Sequence, residues 1–320
     1  MKHFLRYALA ALSLCFISLP ANAATCYWVG GTGNWDSTNV ASWAAASGGA
    51  ASSCAATGGI PKNTVDTAVF DGSSGGGTVT ICGSLSSTCP SGTGSVSITS
   101  LTFGAFTGTL DFSAINPAVT ISTSFNGTGT GTRTLSMGNG VWTLGGGASP
   151  AWNFITTTGL TLNINSSSMV WQPGVTTLLF YGGGKTWGAL TINANVSYPT
   201  VYYGFETGYN VSDTFASLTV NAPASLQIRG GQTQTFTGGI TVIGSSSSAV
   251  VLFSSDSATN QQATIASGAV ANIAYSAFRG IAGATSAINA TNSVSLGGNS
   301  GTLAITFPSG GGGGSHCIGC

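Results

Sequence analysis

At 320 residues the chain is long enough for a sizeable core, yet only 4% of it is charged, and seven basic residues balance seven acidic ones. Ordinary soluble domains carry about 25% charged residues, so this composition excludes the electrostatic footprint of a nucleic-acid or anionic-membrane binder. A hydrophobic content of 42% with so little charge likewise excludes a disordered chain.

In chain order, residues 1–23 read as a secretory signal. Lys2, His3 and Arg6 form a basic start, Tyr7 to Leu19 an apolar middle, and Ala21-Asn22-Ala23 a small-residue cleavage site. The apolar stretch is short for a membrane span, so the expected product is exported, extracellular or at a cell surface, with no integral membrane segment. Removing Lys2 and Arg6 leaves five basic residues against seven acidic ones, a net charge of −2. Six cysteines remain after Cys15 leaves: Cys26, Cys54, Cys82, Cys89, Cys317 and Cys320. An even count in an exported chain points to disulfides. Sequence order favours Cys26 with Cys54, Cys82 with Cys89 and Cys317 with Cys320, among fifteen possible pairings.

Residues 24–78 are marked by tryptophan, in Tyr27-Trp28-Val29-Gly30-Gly31-Thr32-Gly33-Asn34-Trp35-Asp36 and at Trp43. They are placed to cap a repeating body. From 79 to 308 one phrase recurs, an apolar residue, Thr and a second apolar residue. It starts at Val79, Leu101, Val119, Trp142, Leu160, Leu190, Leu218, Ile240, Ala263 and Ile305, with a Ser version at Val294. Side chains alternate across a strand, so each phrase sends two apolar groups inward and its hydroxyl outward. Helix signals are nearly absent, and short Val/Ile/Thr/Phe runs alternate with Gly, Ser and Asn clusters. The prediction is an all-β chain, a right-handed parallel β-helix (β-solenoid) with a small N-terminal cap. Tandem β-sandwiches are the rival architecture. The two longest early gaps, from Leu160 to Leu190 and on to Leu218, are expected to hold projecting loops. Residues 309–320 form a glycine-rich tail ending in His316-Cys317-Ile318-Gly319-Cys320. That tail suits a tether and a disulfide better than a metal or haem site, since it offers three ligands at most and the His precedes the first Cys.

Gly33-Asn34-Trp35-Asp36 leading to Trp43, then Ser47-Gly48-Gly49, Ile60-Pro61 and Val69-Phe70-Asp71, resembles the opening of a group of glycine-rich, repeat-bearing phage virion and tail-associated proteins. The resemblance continues in Gly131-Thr132-Arg133-Thr134-Leu135, Gly182-Gly183-Gly184-Lys185-Thr186 and Gly297-Gly298-Asn299-Ser300-Gly301. Similar repeats occur in exported bacterial surface proteins. The resemblance implies a non-catalytic structural or receptor-facing role on a β-helical body. A tailed-phage virion protein needs no export signal, so the signal shifts weight toward a bacterial surface protein.

A polysaccharide-active β-helix enzyme is the catalytic alternative. Glycoside hydrolysis needs two facing carboxylates, whereas Asp36, Asp66, Asp71, Asp111, Glu206, Asp213 and Asp256 are scattered singly. Arg133, Lys185, Arg229 and Arg279 are equally isolated as candidate bases for lyase chemistry. No catalytic residue, cofactor or metal is therefore assigned. The candidate ligand contacts are Tyr198, Tyr202, Tyr203, Phe205 and Tyr209, because exposed tyrosine joins an apolar face to a polar tip and can meet a glycan or a receptor. Other structural subunits, including copies of the chain, are the alternative partners. The outward Thr ladder carries a third reading, an ice-binding face, against the plain one that Thr is a good strand residue.

Overall fold

The computed structural model describes residues 23–82, 94–145, 150–172, 177–193, 204–207, 211–254, 262–269 and 271–305. Among them the regular structure is β, interrupted by two short 3-10 turns at Val40–Ser42 and Gly72–Ser74. The strands gather into one large sheet of 24 strands and one of five. Between named strands every pairing is parallel except one, in which Thr25–Trp28 runs antiparallel to Trp43–Ala44.

The parallel pairings fall into three columns. The first holds Gly33–Trp35, Thr78–Ile81, Thr109–Asp111, Arg133–Ser136 and Leu160–Asn163. A second run in the same phase begins at Thr186–Trp187 and continues through Thr214–Phe215, Thr233–Phe236, Ala263–Ser267 and the start of Ile281–Thr291. The second column runs from the first half of Ser95–Thr102 through Val141–Leu144, Ser168–Trp171, Ala189–Ile192, Leu218–Asn221 and Ile240–Ile243 to Ala271–Ala274 and beyond. The third begins with Thr25–Trp28 and Thr67–Val69 and reaches Ser276–Arg279 and Val294–Ser295. From Thr78 onward the chain visits first, second and third column in unvarying order. Strands Gly33–Trp35 and Thr67–Val69, from the tryptophan-marked segment, belong to the same columns as the later repeats.

In all nine phrases whose Thr is described, that Thr lies outside the core, while the flanking apolar residues are buried or, at Leu162, half-buried. The phrase does not count turns, however. Val79, Leu160 and Ala263 begin phrases in the first column, Val119, Trp142, Leu190, Leu218 and Ile240 in the second, and Leu101 in the third. The interval from Leu160 to Leu190 is long because it crosses from first to second column and spans a further circuit. It contains the strands Ser168–Trp171, Thr177–Tyr181 and Thr186–Trp187 in place of the expected projecting loop. The next interval holds Gly204–Thr207, paired with strands on both sides.

Large rings fill the interior. All seven tryptophans are fully buried. At the N-terminal end Trp43 and Phe70 contact each other and both Trp28 and Trp35, with centroids 5.2 to 5.9 Å apart, and Phe70 touches Phe106 at 5.6 Å. Further along, Phe103, Phe125, Phe154, Trp152, Phe180, Phe215 and Phe236 continue the line of rings. Gly127 makes this possible where Phe103 meets Phe154. A Cβ there would lie 2.5 Å from one ring and 2.3 Å from the other. Toward the C-terminal end the circuits shorten, as Ala271, Ile288 and Leu303 follow in register, and small residues such as Ala263 and Ala290 replace the rings.

A disulfide joins Cys26 to Cys54. Cys82 is also disulfide-bonded, and its expected partner Cys89 lies outside the described residues, as do Cys317 and Cys320. Because the first bridge closes a 28-residue separation, chain entropy assigns it about 3–4 kcal/mol. Cys26→Ser with Cys54→Ser is expected to lower the stability of the N-terminal end by that amount, read as faster amide exchange in Thr25–Trp28 and Trp43–Ala44 with the later strands unchanged.

Candidate functional surface

The described aspartates are engaged with backbone amides. Asp36 Oδ1 accepts from the Thr38 amide at 2.9 Å, the Thr38 hydroxyl at 2.8 Å and the Asn39 amide at 3.1 Å. Asp71 accepts from the Ser73 amide at 2.9 Å and holds the start of the 3-10 turn, and Asp111 accepts from the amide and hydroxyl of Ser113. Buried Asp66 accepts from the amides of Ala24 and Lys62 at 3.3 and 3.4 Å. Asp213, also buried, accepts from the Gly184 amide at 2.9 Å. The bonds of Asp36, Asp71 and Asp111 are those by which Asp fixes turns, whereas Asp66 and Asp213 tie down amides 42 and 29 residues away, at Ala24 and Gly184. Asp256 and the side chain of Glu206 lie outside what is described. Among the described residues no three His, Cys, Asp or Glu side chains come together as a metal cluster, and no helix is long and apolar enough to cross a membrane.

Of the basic side chains, Lys185 donates from Nζ to the Leu160 carbonyl at 3.1 Å. Arg133 is 1% exposed. Its guanidinium donates to four carbonyls, those of Gly131 at 2.8 Å, Thr158 at 3.1 Å, Gly127 at 2.6 Å and Thr156 at 3.2 Å. It stands 5.8 Å from the Phe103 ring centroid, and its Nε is without a partner. Burial lowers its pKa from the ordinary value, although an arginine stays charged across the physiological range. The residue bridges successive circuits and is walled in by backbone, a poor position for a proton-abstracting base. Sequence reasoning offers it only as a candidate base. The signal for its actual place is present, since Arg133-Thr134-Leu135 fits the phrase with arginine in an apolar position, and Arg133 pairs in register with Leu160.

Tyr198, Tyr202, Tyr203 and Tyr209, expected from sequence as ligand contacts, lie outside the described residues. Phe205 falls in Gly204–Thr207, in register with Leu178 and Leu226 of the third column. The tryptophans of residues 24–78, being buried, offer no exposed ring to a ligand.

The most regular outward surface is the second column. Ser97, Thr120, Thr143, Val170, Thr191, Thr219, Thr241, Asn272 and Asn289 follow one another in register, one per strand. Each stands beside buried residues that point the other way, such as Leu190 and Ile192 around Thr191. On one side of this ladder lie small groups, Ser95 paired with Ala118 and Ser168 with Ala189. On the other, Asn221 donates its amide to Asn193 Oδ1 at 2.7 Å. No strand of this column carries a charged residue, whereas the first contains Asp111 and Arg133 and the third Glu206 and Arg279. Sequence reasoning foresees a hydroxyl ladder and misses the amides beside it, because Asn193 and Asn221 each follow a phrase and read there as turn residues.

Compared with known protein families, with curated proteins and with solved structures, the chain shows no match.

Proposed function

We propose that the protein is a non-catalytic, exported β-solenoid, wound right-handed as parallel crossovers are, that serves a structural or adhesive role at a cell surface or in a phage-related particle. The observation that carries the reading is the division of labour among polar side chains. The described aspartates accept from backbone amides, the guanidinium of Arg133 holds backbone carbonyls, and the outward positions of the second column carry hydroxyl, amide and small apolar side chains without charge. A surface of that kind makes many weak contacts and is poorly equipped for proton transfer, which needs a group of suitable pKa free to reach its substrate. The unvarying order of visits to three columns supports a solenoid over sandwiches, whose sheets are antiparallel. The Cys26–Cys54 disulfide fits an oxidising compartment.

Purified protein is expected to attach to cells, glycans or a partner assembly and to leave a polysaccharide panel unchanged. Appearance of reducing sugars or of unsaturated products, abolished by substitution of Asp213 or Glu206 in a chain that still folds, would overturn the reading in favour of a polysaccharide-active enzyme.

A further inference from the structure

The second column offers an uncharged surface along its described strands, and that restricts what can sit on it. It carries no charge, so an anionic polymer, a phosphate surface or a membrane finds no counter-ion there. It carries no outward ring either, since Trp142 and Trp171, its aromatic members, are buried, so a sugar finds no stacking platform. What remains is a row of small uncharged groups, hydroxyl and methyl at its five threonines, repeating at the strand spacing of about 4.8 Å. A single such hydroxyl contributes only about 1 kcal/mol in net terms. A flexible solute would lose that gain in becoming ordered on the surface. A ligand already rigid, neutral and periodic loses nothing further, and its contacts add along the ladder.

We infer that the second-column face binds ice. Thr120, Thr143, Thr191, Thr219 and Thr241, each bearing one hydroxyl and one methyl, occupy matched register positions on the face. Val170 interrupts the hydroxyl row while keeping a methyl in line, and Val141, 41% exposed, adds apolar area beside it. Ice is the neutral, rigid, periodic partner that such a face fits. The inference rests on the non-catalytic reading above and names the partner of one of its surfaces.

The test uses the full chain at high concentration, with thermal hysteresis and incorporation into a growing ice hemisphere as readouts. The unsubstituted protein is expected to enter the ice and to depress its growth temperature. Thr191→Lys with Thr219→Lys places two hydrated charges on adjacent strands of the face and is expected to abolish both effects, with unchanged circular dichroism and melting. Thr109→Lys with Thr134→Lys, on the first column, is expected to retain them. A folded chain without hysteresis, or a second-column variant as active as the parent, overturns the inference. Attachment to cells or glycans, scored above freezing on the same variants, separates that failure from failure of the adhesive reading.

Discussion

Trp152→Ala is expected to lower the unfolding free energy by about 3–5 kcal/mol, the range for removing a large ring from a close-packed interior. Trp152 is fully buried and touches rings from several circuits. Phe125 lies 4.7 Å away edge-on, Phe180 is stacked at 5.7 Å, and Phe154 and Trp187 stand at 5.2 and 5.1 Å. Phe125 and Phe180 are its register partners in the strands before and after, so the ring joins three successive strands of the third column. Trp152→Phe separates packing from polarity. The indole Nε1 has no hydrogen-bond acceptor, so phenylalanine keeps most of the stack and removes an unpaired buried donor. Its cost is expected to stay below about 1.5 kcal/mol, as for shape-conserving exchanges. Guanidinium denaturation of both variants checks this, and equal losses would mean that the ring contacts do not carry the stability assigned to them.

Arg133→Leu is the second large effect. Leucine is what the neighbouring strand places at this register position, in Leu160, so shape alone predicts tolerance. The guanidinium, however, donates to four carbonyls from two successive corners, Gly127 and Gly131 in one and Thr156 and Thr158 in the next. Hydrogen bonds to a charged group are worth about 1.5–3 kcal/mol, and a buried acceptor left unpaired costs about 1–3 kcal/mol. Desolvation of the cation opposes this gain, and the expected net loss for Arg133→Leu is about 3 kcal/mol, concentrated at those corners. Arg133→Lys keeps the charge without the planar fork and is expected to recover less than half of the loss. Full recovery with lysine would show that charge matters more than the geometry of the four bonds. Amide exchange at Gly129 and Leu160 provides the local readout.

The alternation of apolar and polar side chains is legible in the phrase itself, and with it the burial of Trp142. The phrase cannot reveal which column it occupies. A strand with its apolar residues inward looks alike in any of the three, and some corners between columns are a single residue, too short to leave a mark. Gly188 alone separates Thr186–Trp187 from Ala189–Ile192, and Tyr275 alone, in the left-handed region at φ 51°, separates Ala271–Ala274 from Ser276–Arg279. With corners of that size, the interval between phrases depends on which column each one occupies, and the interval from Leu160 to Leu190 reads wrongly as a loop. The candidate surface is half legible. Its Thr residues stand out individually, but only the register shows that Thr120, Thr143, Thr191, Thr219 and Thr241 share one ladder while Thr80, Thr161 and Thr264 lie on another face.

The register of that ladder underlies everything proposed for the face, and cysteine cross-linking tests it most directly. Neighbouring parallel strands stand about 4.8 Å apart, within the window of about 4.4–6.8 Å between the Cα atoms of a disulfide. Thr191 and Thr219 are direct register partners, whereas Thr143 and Thr219 are separated by the strands of Val170 and Thr191. Rapid intramolecular oxidation is expected of Thr191→Cys with Thr219→Cys, and none of Thr143→Cys with Thr219→Cys. Equal reactivity of the two pairs, or reaction of the distant pair alone, would contradict the ladder.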